Sequence, residues 1–123
     1  MSLCLPKNRP NLIYVLKMVF ETKTLYKIGR SFDPNQRART IYLNNPTVVS
    51  CEIVRTCKNH MFTSANGKKD LELALLGELR YRLGQRGDYF DTTLGVIDSS
   101  IRQVLTALRN KNHYIVSQRY RLR

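Results

Sequence analysis

No stretch of this 123-residue chain approaches the roughly 18 to 20 consecutive apolar residues of a membrane span, so a soluble protein is expected, with no membrane partner. The N-terminus lacks a continuous apolar region, because Lys7, Asn8 and Arg9 interrupt it early, and this argues against a secretory leader. Cysteine is scarce and odd in number: Cys4, Cys51 and Cys57, with no Cys-x-x-Cys pair. A disulfide scaffold is therefore not expected, and a reducing, intracellular compartment (cytoplasm or nucleus of a host cell) fits better. Cys51, Cys57 and His60 are poorly spaced for zinc, so ordinary thiols are expected there. No internal repeat and no dividing linker is present, and 42% hydrophobic residues suffice for one small domain with its own core.

Acidic side chains are also in short supply. Nine stand against 21 Lys and Arg, giving a net charge of +12. The imbalance sits at the two ends. Residues 1–50 hold eight basic and two acidic side chains, residues 51–100 seven of each, and residues 101–123 six basic and none acidic. A polyanion is the natural partner, nucleic acid before membrane, since no basic amphipathic anchor is evident. The plainer alternative is a basic surface that fits into a protein assembly.

The chain is organised around residues 25–37, Leu-Tyr-Lys-Ile-Gly-Arg-Ser-Phe-Asp-Pro-Asn-Gln-Arg, which read as strand, tight turn and helix start. Leu25 to Ile28 favour a strand, and Gly29 supplies backbone freedom at its exit. Asp33-Pro34 is a helix-start pair: the carboxylate accepts an orphan N–H, and proline fits the first helical position. Lys27, Arg30 and Arg37 are thereby placed around one junction suited to phosphate.

Around this stretch, residues 1–10 read as an irregular lead-in. Residues 11–19 alternate as a strand covered on both faces, and 25–28 return antiparallel as a hairpin. A helix is expected over 34–42, a third strand over 47–56 and a polar loop over 57–67. A helix over 68–83 carries Leu71, Leu75, Leu76, Leu79 and Leu83 as its apolar stripe, and a short extended piece follows at 88–90. A last helix, capped by Asp98-Ser99, precedes a basic extension. The expectation is an α+β domain: a small antiparallel sheet of about three strands flanked by helices, with a body over 11–95 and a C-terminal helix and tail over 96–123.

Glu72 stands out. At 100° per residue it lies within about 60° of Leu75, Leu76 and Leu79, so it projects from the apolar stripe itself. A carboxylate aimed at a core must be paired, hydrogen-bonded or metal-bound. The alternative is a wet residue at a helix's first turn, favoured there by the macrodipole.

Together these features resemble the GIY-YIG nuclease superfamily, and most closely its short phage- and virus-borne branch of phage T5 Orf172-like domains, whose second motif reads Lys-Ile-Gly. Leu12-Ile13-Tyr14 stands at the first motif and Lys27-Ile28-Gly29 at the second. Arg37 matches the family's helix arginine and Glu72 its glutamate. The run from Leu71-Glu72 to Gly87-Asp88-Tyr89-Phe90 looks like the branch's closing pattern. The resemblance covers about residues 11–92. Leu12 replaces a glycine, Lys27 a tyrosine, Leu76 the branch's usual histidine and Ile41 a polar residue.

The resemblance implies a DNA-directed endonuclease that hydrolyses phosphodiesters with one weakly held Mg²⁺ or Mn²⁺ on Glu72. Arg37 would neutralise charge on the transferring phosphate, and Tyr14 would orient or deprotonate the attacking water with help from Lys27 or Arg30. Tyr26, Arg39, Arg119, Arg121 and Arg123 are the expected nucleic-acid contacts, DNA more readily than RNA, the tail interleaving aromatic and cationic groups. Two other classes stay open: a DNA-binding module of the same fold without turnover, and a basic nucleoprotein or virion assembly protein.

Overall fold

The computed structural model describes residues 12–59, 61–64 and 67–110. The residues 1–10 lead-in and the tail residues Arg119, Arg121 and Arg123 lie outside that range. Strand β1 (Leu12–Phe20) and strand β2 (Thr24–Ser31) form the expected antiparallel hairpin, in a register that sets Tyr14 opposite Gly29 and Leu16 opposite Lys27. Helix α1 (Pro34–Leu43) follows, with Asp33 accepting the Gln36 N–H at 3.2 Å as its N-cap and proline in the first turn. Strand β3 (Val48–Lys58) pairs antiparallel with the other edge of β1.

The segment expected to be a polar loop is more ordered than that. It forms a separate two-stranded ribbon, β4 (Met61–Ser64) and β5 (Gly67–Asp70), which belongs to no larger sheet among the described residues. Its sequence lacks the apolar alternation that marks a half-buried strand, so backbone pairing alone reveals it. The next helix, α2 (Leu71–Leu83), accordingly starts three residues later than expected, capped by Asp70 and closed by Gly84 in the left-handed region at φ 66°. Strand β6 (Tyr89–Phe90) adds a short fourth strand beside β2, giving the order β3-β1-β2-β6. Helix α3 (Leu94–Asn110) begins at Thr93, whose hydroxyl accepts the Val96 N–H, rather than at Asp98-Ser99. Asp98 lies one turn inside the helix and pairs in two-pronged fashion with Arg55 at 3.0 Å per contact.

Both sheet faces are covered. Ile13, Val15, Tyr26 and Ile28 meet Leu71, Leu75, Leu76 and Leu79 of α2 and Ile97 and Val104 of α3. Tyr14, Leu16 and Met18 meet Ala38 and Ile41 of α1, with Val48. A bulge in β3, where the register shifts between Val15 and Leu16, turns Ile53 and Cys51 to the α1 side but Val54 and Cys57 to the other. The two thiols therefore sit on opposite faces and share no ligand. No helix among the described residues is long and apolar enough to cross a membrane.

Candidate active site

The site is built where β2 runs past the end of β6. Strand β6 covers Tyr26 and Lys27, and the Ile28 N–H reaches the Asp88 carbonyl at 2.9 Å. Alternation on β2 places Lys27 and Gly29 on the α1 face and Tyr26, Ile28 and Arg30 on the α2 face. Lys27 and Arg30, read together with Arg37 in the sequence, are thus divided between the two faces of one strand.

On the α1 face, the tip of the Tyr14 ring lies directly across Gly29. A Cβ at residue 29 would fall well inside the contact radius of the Tyr14 hydroxyl and ring, so glycine is required there for packing. Tyr14 is 1% exposed, a core aromatic by packing, with its hydroxyl carried across β2 toward the sheet edge. Two residues back, Lys27 is 8% exposed. Its ammonium donates to Asp88 at 2.8 Å and lies 5.1 Å from the Tyr89 ring centre and 5.9 Å from that of Tyr14. Burial alone would lower the Lys27 pKa; the Asp88 hydrogen bond and the proximity of Tyr14, Asp88 and Tyr89 outweigh it and raise it. Lys27 is a fixed cation, not a base.

Arg37 is exposed on α1 and forms no salt bridge among the described residues. It lies about 60° from the buried line of Pro34, Ala38 and Ile41, on the flank opposite Asn35, Arg39 and Tyr42. The latter three line an open groove of about 770 Å³ against Val49 and Ile53 of β3. Because β1 separates β3 from β2, Arg37 leans to the β2 side with Lys27, and Arg39 lies away from it.

On the α2 face, Arg30 is held rather than free. Its Nη1 donates to Asp70 at 2.6 Å, and its Nε stands 3.7 Å from Glu72 Oε1. Both Asp70 oxygens are engaged, one by Arg30 and Asn59, the other by the Leu73 N–H at 2.9 Å. Glu72 is different: half-buried in the first turn of α2, its carboxylate accepts no hydrogen bond among the described residues. Burial pushes its carboxyl above the usual 4.5; Arg30 pulls it back, Asp70 and Asp88 add to the rise, and Lys27 opposes them. A desolvated, under-bonded carboxylate of this kind suits a hard divalent cation that keeps most of its water. Among the described residues no three His, Cys, Asp or Glu side chains group into a fuller metal cage.

Tyr26 needs correction as a nucleic-acid contact. It is 7% exposed and packed in the α2-side cluster, with no free ring face for a base. The aromatic that stands accessible beside Lys27 is Tyr89, 40% exposed. Asp88, Asp70 and Asn59 were also missed. Asp88 lies 61 residues from Lys27 and Asp70 lies 40 from Arg30, so no local pattern announces either pair.

An antiparallel hairpin with Tyr14 over Gly29, a following helix bearing Arg37, and a second helix opening on Glu72 are consistent with a GIY-YIG-like nuclease or nucleic-acid-binding domain. More narrowly, the chain belongs to the T5orf172 domain family, whose family model matches residues 11–105, through the first two-thirds of α3. Membership of this family is consistent with a nuclease-like domain that binds nucleic acid. Neither a curated relative nor a solved structure matches the chain.

Proposed function

We propose that this protein is a divalent-metal-dependent endonuclease acting on DNA. The observation that carries the reading is Glu72, a desolvated carboxylate left without a hydrogen bond among the described residues while adjacent Asp70 is fully engaged. Glu72 would hold Mg²⁺ or Mn²⁺, which supplies Lewis-acid polarisation of a phosphate oxygen. Lys27, charged and fixed by Asp88, presents a positive group to the phosphate that needs no reorganisation during reaction. Arg37, unpaired and on the β2 side of α1, neutralises charge on the non-bridging oxygens. Tyr14 directs its hydroxyl across Gly29 toward the open edge, where it orients an attacking water. Arg30 acts one step removed, holding Asp70 and standing beside Glu72.

The net charge of +12 supplies the salt-dependent grip on a polyanion, with Arg39 and the cations of the tail as outlying contacts. Leu76 favours a second reading. It is buried in the core where the branch usually has a histidine, so one polar group is missing, as in a module that binds without cutting. Supercoiled plasmid in Mg²⁺ or Mn²⁺ separates the two: nicking by the wild type that is lost in Glu72→Ala supports the enzyme. Equal retardation of DNA by both proteins without nicking supports the binding module.

A further inference from the structure

The stem of the β4–β5 ribbon closes beside Glu72. Asn59, just after β3, and Asp70, the last residue of β5, meet there: Asn59 Nδ2 donates to Asp70 Oδ2 at 3.2 Å. The carbonyl oxygen of the same Asn59 side chain accepts the backbone N–H of Glu72 at 3.2 Å. Asp70 meanwhile caps Leu73 and receives Arg30. One carboxamide thus joins the end of β3, the ribbon and the first turn of α2. The arrangement fixes the amide's orientation, because the reverse would set its oxygen against a carboxylate and its NH₂ against an N–H.

We propose that Asn59 is the positioning residue for Glu72, locking the first turn of α2 to the ribbon stem so that the carboxylate is held at the β2 edge beside Arg30. Asp70 alone is enough to start the helix, since a single N-cap satisfies the usual requirement. The second cap comes from outside the helix and lands on the N–H of Glu72 itself. It removes the freedom of the residue whose side chain must stay under-bonded. The inference rests on the reading of Glu72 as the metal-holding group. Partners that orient a metal ligand in this way typically change affinity by about 10–100-fold when removed.

The test measures Mn²⁺ affinity of the full chain together with hydrogen exchange of the Glu72 amide, in wild type, Asn59→Ala, Asn59→Ser and Glu72→Gln. Asn59→Ala is expected to deprotect the Glu72 amide and weaken Mn²⁺ about tenfold while helix content is kept. Asn59→Ser, whose hydroxyl both accepts and donates, keeps the measurement interpretable if the alanine variant does not fold. Across these proteins the affinity must follow the protection of that one amide. Full Mn²⁺ affinity with a deprotected Glu72 amide overturns the positioning role and leaves Glu72 as metal holder intact. Mn²⁺ binding that survives Glu72→Gln overturns the reading of Glu72 and the role of Asn59 with it.

Discussion

The two faces of the sheet do different work. The α2–α3 face carries the larger core, with Leu75, Leu79, Phe90 and Ile97 essentially inaccessible, and it bears Glu72 on a doubly capped helix. The α1 face has a smaller cluster flanked by an open groove, and it bears Lys27, Tyr14 and Arg37. Glu72 is anchored to the side with the larger core. Lys27 and Arg37 stand on the lighter one. Strand β2, which contributes to both faces, brings the halves together at its open edge. The candidate site thus stands at a strand edge, and the groove of about 770 Å³ lies apart from it on the far flank of α1.

The largest effect should come from weakening the heavier face. Leu79→Ala removes an inaccessible side chain and is expected to cost about 3–5 kcal/mol, while Ile41→Ala on the α1 face should cost about 2 kcal/mol. Equal losses in denaturant titrations would remove the distinction between the faces. Next is Gly29→Ala, where the new methyl meets the Tyr14 ring. Overpacking of about 1–3 kcal/mol is expected, with cutting reduced more than DNA binding because the Tyr14 hydroxyl is displaced. A Gly29→Ala protein with normal stability and cutting would show that the close approach of the two strands is dispensable.

Lys27→Met keeps the stem of the side chain but removes the charge. It should lower cutting about tenfold or more and cost only a small part of the stability, because Asp88 keeps access to water. Lys27 has a raised pKa, so its contribution to stability is complete below the ordinary 10.5 and is lost only as pH rises through the folded value. Cutting that fell with a midpoint near neutrality would have to come from another group.

The smallest effect is the most diagnostic for Glu72. Its raised pKa means the folded chain favours the protonated form, so stability falls as pH rises from 4.5 through the folded value. Glu72→Gln should therefore match or slightly exceed the wild type in Tm at pH 7, and the difference should vanish below pH 4.5. Added Mn²⁺ should raise the Tm of the wild type alone.

Much of this was legible in the sequence, for reasons that also mark where reading stops. Alternation in residues 11–19 and the leucine spacing of 71–83 report directly on burial, so the sheet, α2 and the odd position of Glu72 followed. The Tyr14–Gly29 relation was visible only as two motifs; the cross-strand register explains why the second must end in glycine. Tyr26 was misread because the covering of both sheet faces, already legible in residues 11–19, extends to β2 and buries it under α2. The ribbon went unseen because its short strands have no apolar period. Lys27 with Asp88 and Arg30 with Asp70 are tertiary pairs across 61 and 40 residues, which no local pattern announces.

The reading to be tested is that Glu72 serves cutting while the grip on DNA rests on the basic charge of the chain. Binding and nicking of the same supercoiled DNA by wild type and Glu72→Gln, in one buffer with Mg²⁺ or Mn²⁺, tests it most directly. The account predicts unchanged retention of DNA by Glu72→Gln and a loss of nicking of about 10²-fold or more. Nicking that persists in Glu72→Gln, or DNA binding that disappears together with it, would contradict the division of labour.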